Sequence, residues 1–216
     1  MYLLMEKNDW NNFMNLTFMI LEMNNECKYR NEICKNINGN QICVIKRKSL
    51  LQQNKAFEMI RYLQKNLVSF SNYLYNKFKN NSYYNPRFTR LNNTIKTTTF
   101  KENNDDCSHT SYSEDKGKIL AFCLQDKERN TLNDFEDLNT LMFVGLHEIT
   151  HIACSQDGHP PEFWSLFKKI LIEAEKFGIY NPVNYNLSKH YTKYCGMTID
   201  DSPYHDPSLN VDFLNN

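Results

Sequence analysis

Long apolar runs are missing from this 216-residue chain. Runs such as Phe18–Leu21 span only a few residues, far short of the ~20 that a bilayer span needs, so no membrane helix is expected. The first residues, Met1 to Lys7, have no basic region ahead of an apolar core and no small-residue cleavage site. A secretory signal is therefore not expected, and the cytoplasm is the expected location. The seven cysteines (Cys27, Cys34, Cys43, Cys107, Cys123, Cys154 and Cys195) are odd in number and never spaced as CxxC. That argues against a disulfide framework and against a cysteine-based zinc knuckle, and a reducing setting is expected. Net charge is missing too: 25 Lys and Arg face 25 Asp and Glu.

What is present suffices for one folded domain, since 41% of residues are hydrophobic and 13% aromatic, enough to build a core. The zero net charge hides an asymmetry. Residues 1–100 hold 15 basic and 6 acidic residues, and residues 101–216 hold 10 and 19. From Met59 to Lys101 there is no acidic residue, while Arg61, Lys65, Lys77, Lys79, Arg87, Arg90, Lys96 and Lys101 are interleaved with Phe78, Tyr83, Tyr84, Phe88 and Phe100. Cations neutralise phosphates and ring faces stack on unpaired bases, so this segment, Arg61 to Lys101, is a candidate DNA contact. The plainer reading is a solvated face, or one turned toward the acidic half of the same fold.

Residues 1–49 read as an N-terminal appendage: a short amphipathic helix over 10–23, then strands 33–37 and 40–45 around the hairpin turn Asn38-Gly39, with Cys34 opposite Cys43 as reduced neighbours. Residues 50–216 read as the main domain. Apolar spacing predicts a long helix over 50–79, and Asn85-Pro86 then breaks the chain. A β-rich region follows, with Thr-rich 93–100 and a second hairpin, 110–114 and 118–124, around Asp115-Lys116-Gly117. Polar connections are expected over 101–109 and 126–133. A helix is expected from about Asp134 to Cys154, opened by acidic residues as the helix dipole prefers, and another from Pro160 to Lys176, stopped at Gly178.

The chemistry lies in His147-Glu148-Ile149-Thr150-His151. HExxH places two imidazoles four residues apart on one helix face, where both can bind one zinc ion, with Glu148 able to reach a metal-bound water without being a ligand. The flanks Val144-Gly145-Leu146 and Ile152-Ala153 are uncharged, as suits a buried helix. A structural zinc needs four protein ligands, whereas a catalytic zinc keeps one position for water, so the third ligand matters. His159 leads, because Gly158 lets the chain turn back and Pro160 fixes its departure into the next helix. Glu162 and then Asp157 follow, while His109, His190 and His205 lie in segments that the sequence does not place.

This motif, followed by Gly158-His159-Pro160-Pro161-Glu162-Phe163-Trp164, resembles the HExxH…GHxxxFW signature of the WLM and SprT (Spartan)-like zinc metallopeptidases, including those encoded by large DNA viruses. The similarity extends from Lys116–Ile119 through Asp137–Val144 to Gly178–Tyr180 and Tyr194–Met197, roughly the last hundred residues. It implies an α+β, zincin-like minimal metalloprotease, with the long helix and a small, mostly antiparallel sheet packed on the HExxH helix. It also implies zinc on His147, His151 and His159, and Glu148 as the general base. Family members degrade proteins crosslinked to DNA; the resemblance implies the chemistry rather than that substrate. For a viral chain the location would be host cytoplasm or virion.

On this reading a protein or peptide is hydrolysed by a zinc-activated water, and the strand 118–124 is the sheet edge that aligns it. Tyr191, Tyr194 and His190 are candidate oxyanion donors, while Phe163, Trp164 and Phe167 pack behind the metal. Two other readings fit the same residues: a zinc amidohydrolase acting on a different amide, and a DNA- or virion-binding module with a structural zinc.

Overall fold

The structure, a computed structural model, describes residues 32–103, 110–125, 135–187 and 192–211. The expected helix over 10–23 lies outside these residues, as do Cys27, Cys107, His109, His190 and Tyr191. The chain is α+β. Among the described residues, four α-helices, α1 (Leu50–Lys77), α2 (Tyr84–Ile95), α3 (Leu138–Ala153) and α4 (Pro161–Phe177), accompany a five-stranded sheet and a small hairpin. No described helix is long and apolar enough to cross a membrane.

The sheet comprises β1 (Glu32–Ile37), β2 (Asn40–Ile45), β3 (Thr99–Glu102), β4 (Ser111–Glu114) and β5 (Ile119–Phe122), in the order β1-β2-β3-β5-β4. Both hairpins form where the sequence expects them. Asn38-Gly39 turns the first in the left-handed region and sets Cys34 opposite Cys43. The expected mostly antiparallel sheet is not found: β1–β2 and β4–β5 are antiparallel, but β2–β3 and β3–β5 are parallel. The reason is the connection. β2 reaches β3 only through α1 and α2, a helical crossover that allows parallel pairing. The first hairpin is thus built into the same sheet as the residues that follow it, and Ile42 and Val44 belong to the common core.

The second hairpin also corrects an expectation. Its strand β5 lies between β3 and β4, so among the described residues the sheet edge on this side is β4 rather than the 118–124 strand. In the turn between them Gly117 has φ +97°, and a Cβ there would lie 2.5 Å from Ile152 Cδ1. Glycine is therefore required twice over, by backbone conformation and by its close approach to α3.

Asn85-Pro86 does not break the chain but opens α2. Pro86 stands in the first turn, where backbone N–H groups lack helical acceptors anyway, and the Asn81 side chain accepts from the N–H groups of Tyr83 and Tyr84 at 3.1 and 2.8 Å. Tyr84, Phe88, Leu91 and Ile95 form its buried face, so helix runs into the Thr-rich stretch and strand begins only at Thr99.

The core lies between the helices and the sheet. Leu63, Leu67, Phe70 and Leu74 of α1 are fully buried. Gly145 of α3 lets the two helices approach, since a Cβ there would sit 3.2 Å from Leu67 and 3.3 Å from Leu63. Two disulfides overturn the expectation of reduced thiols: Cys34–Cys43 across the first hairpin, and Cys123–Cys195, which ties the end of β5 to the turn of the small hairpin β6 (Thr192–Tyr194) and β7 (Met197–Ile199). The linear pattern lacks CxxC because the second pair is brought together by tertiary packing across 72 residues.

Part of the charge asymmetry is resolved internally. Lys77 pairs with buried Glu173, Arg87 with Glu162 and Arg47 with Glu102, while Lys65, Lys79 and Lys96 of the basic segment are exposed.

Candidate metal centre

α3 positions the first two histidines. Asp137 caps it, its carboxylate accepting from Thr140 N–H at 2.9 Å, so the helix starts slightly later than Asp134. From there nearly every residue is buried, including His147 and Glu148 at 6% and 4% exposure. α3 ends at Cys154, whose N–H reaches Thr150 C=O at 2.7 Å. The chain then turns through Gly158, at φ +72°, and places His159 just ahead of Pro160.

The three imidazoles converge. His147 Nε2 lies 3.2 Å from His151 Nε2 and 3.0 Å from His159 Nε2. Three nitrogens arranged tetrahedrally around a zinc ion at ordinary bond lengths stand about 3.3 Å from one another, so this spacing fits a shared metal. The donor chemistry fits as well, because ring-nitrogen lone pairs aimed at one point repel unless a cation or proton lies between them.

Burial holds the site in the metal-ready protonation state. Loss of solvation lowers His147 well below its ordinary value, with His151 and His159 adding repulsion, and it lowers His159 similarly, reinforced by His151. His151 is pushed down to about 4, mainly by burial and further by Lys116, with Asp157 opposing. Burial pushes Glu148 up to about 8. Neutral imidazoles are ligands; imidazolium ions are not.

Phe163 of α4 supports all three rings, with centroids 4.6 Å from His151 and His159 and 5.0 Å from His147. Phe167 packs on His147, and Trp164 on His159. These aromatics thus form the wall behind the imidazoles, as their helical spacing suggests.

The other candidate ligands are used elsewhere. Glu162 pairs with Arg87 and accepts from the Tyr83 hydroxyl at 3.2 Å, Asp157 pairs with Lys116, and His205 lies exposed in a 3-10 turn. Tyr194 is fully buried; its hydroxyl donates to Cys123 C=O at 2.8 Å and lies 2.7 Å from Ser111 Oγ, a structural tie rather than a free oxyanion donor. A second close group, Glu32, Cys34 and Cys43, keeps only its carboxylate as a donor because the two thiols are joined. Among the described residues, no fourth His, Cys, Asp or Glu joins the histidine group.

Sequence reasoning missed one contributor. Arg90 of α2 donates to the carbonyls of Ile152, at 2.9 Å, and Ala153 at the end of α3. Its local sequence carries no signal, because the contact depends on how α2 packs on α3.

Relatives place the chain. Uncharacterized protein R325 of Acanthamoeba polyphaga mimivirus is 33% identical over 168 residues, which cover 73% of this chain and 80% of that protein. The chain belongs to the family of this mimivirus protein. The chain is also similar over shorter stretches to Uncharacterized protein 136R of Invertebrate iridescent virus 6, 39% identical over 64 residues covering 30% of this chain and 35% of that protein, and to Uncharacterized protein 042R of Invertebrate iridescent virus 3, 38% identical over 72 residues covering 33% and 43%. No family model matches the chain, and no solved structure matches it.

Proposed function

We propose that this chain is a zinc-dependent metallopeptidase of the WLM and SprT-like type, with His147, His151 and His159 as ligands and Glu148 as general base. The observation that carries this reading is the convergence of three imidazole nitrogens, those of His159 and His151 lying 3.0 and 3.2 Å from that of buried His147, beside a buried carboxyl one residue along the helix. When bound, zinc would supply Lewis acidity at the scissile carbonyl and acidify a water molecule. Three ligands rather than four favour that role over a purely structural one. Glu148 takes the proton from the attacking water and delivers it to the leaving amine. The aromatic wall keeps the ligand rings oriented and excludes solvent from behind.

The position of β4 supports a zincin-like arrangement, since this last strand of the described sheet packs close to α3, and an extended peptide would align there as an added strand. DNA-associated or DNA-crosslinked proteins are the proposed substrates, by analogy with the resembled family and with the exposed lysines at positions 65, 79 and 96 in view. The test incubates zinc-loaded protein with a DNA-binding protein, with and without single-stranded DNA. Wild type is expected to cleave it, faster with DNA, and Glu148→Gln is expected to keep its zinc and lose cleavage. Equal proteolysis by both forms would overturn the proposal.

A further inference from the structure

His159 is the one ligand held outside a helix, in the loop from Cys154 to Pro160 between α3 and α4. Such a loop must be fixed at both ends if its imidazole is to meet two rings held rigidly on α3. Both ends are fixed by α2. At the upstream end, the Arg90 guanidinium occupies two of the last carbonyls of α3, Ile152 at 2.9 Å and Ala153, which have no helical donor of their own. At the downstream end, Arg87 binds Glu162 in the first turn of α4, with Nε donating at 2.8 Å, and the Tyr83 hydroxyl reaches the same oxygen at 3.2 Å.

Arg87 is itself held, because it donates to Tyr83 C=O at 2.7 Å and lies 3.6 Å from the Tyr83 ring centroid. The two arginines stand one turn apart on a single helix, so the spacing of the loop's ends is set by helix geometry. The other tie on the loop, Lys116 with Asp157, has side chains 55% and 70% exposed and is screened by solvent.

We propose that Arg87 and Arg90 are positioning residues for His159: together they clamp the ends of the loop and bring its imidazole to the metal. This rests on reading His159 as a zinc ligand. Two members of the basic segment thereby serve the metal centre, not an external anion. The planar guanidinium fork suits the task, since one side chain can satisfy two acceptors in a fixed geometry.

The test measures zinc affinity by chelator competition, the visible spectrum of the Co2+-substituted protein, and the melting of the metal-free protein. The variants are Arg87→Gln, Arg90→Gln and His159→Ala, singly and combined. Each arginine variant is expected to weaken zinc binding about tenfold and to shift the Co2+ spectrum toward that of His159→Ala. In the His159→Ala background the same substitutions are expected to change affinity less than about twofold, because the ligand they position is gone. An equal loss with and without His159, or no loss in the wild-type background, would overturn the clamp. Should Arg90→Gln not fold, Glu162→Gln and Arg87→Lys leave the bonds to α3 intact and must show the same dependence on His159. Unchanged zinc affinity in His159→Ala alone would overturn the ligand assignment itself.

Discussion

His147 and His159 bring their Nε2 atoms to 3.0 Å although they belong to different segments, one inside a buried helix and the other in the loop beyond it. Two imidazoles held this way cannot both be charged, and burial lowers the proton affinity of each. Acid is therefore expected to act on the metal-free protein through the unfolded state. There the histidines take up protons near 6.5, while His151 in the fold waits until about 4. The unfolded state binds more protons in this window, so stability falls as pH drops from about 6.5 toward 4, by about 1.4 kcal/mol per pH unit for each histidine that lags. Glu148 acts with the opposite sign. Its folded value is about 8 against 4.5 for the free side chain, so its contribution is lost as pH rises through that range. Denaturant melts of chelator-treated protein are expected to peak near neutrality; a stability flat from pH 5 to pH 8 would contradict both assignments.

Removing the Cys123–Cys195 link, by reduction or by Cys195→Ser, is expected to cost about 2–5 kcal/mol, and removing Cys34–Cys43 less. The chain-entropy cost of opening a loop grows with its length, and the separations are 72 and 9 residues. Thermal melts with and without reductant test this; identical melting temperatures would mean that the long-range link is not formed.

Gly117→Ala is expected to destabilise by about 1–3 kcal/mol through its left-handed backbone alone, with a further loss from the added Cβ striking Ile152. Shortening Ile152 should relieve only the second part. A double-mutant cycle reads that coupling, and strict additivity would place the whole cost in the backbone.

Lys77→Met is expected to cost about 1 kcal/mol, less than a fully buried pair, because Lys77 is 38% exposed and Lys169 and Lys176 remain beside Glu173. Burial alone would push the Glu173 carboxyl up, but Lys77, Lys169 and Lys176 outweigh it and hold it below the usual value. Loss of Lys77 should raise it, as carbon-detected NMR titration of the carboxyl would record.

The parts of this molecule that were legible in the sequence are the local ones. HExxH is a single helical turn, Gly158 and Pro160 mark the turn around His159 within a few residues, and Asn38-Gly39 fixes the first hairpin and its register. Sheet order was not legible. β2 meets β3 across two helices, and nothing in either strand names its neighbour. Pro86 misled because a proline that ends a segment and one that opens a helix look alike until the chain before it is seen to turn. The arginines of α2 carried charge but no address, and only packing shows that Arg90 faces the end of α3 and Arg87 the start of α4.

The parallel pairing of β2 with β3 also decides where this protein can be cut. A shortened chain starting at residue 50 would keep every histidine of the metal centre, yet it would strip β3 of one of its two neighbours and leave Phe100 without Ile42 beside it. The bared rim of backbone donors and acceptors would then be free to recruit strands from other molecules, so trimming back to the first helix should yield aggregates rather than a minimal enzyme.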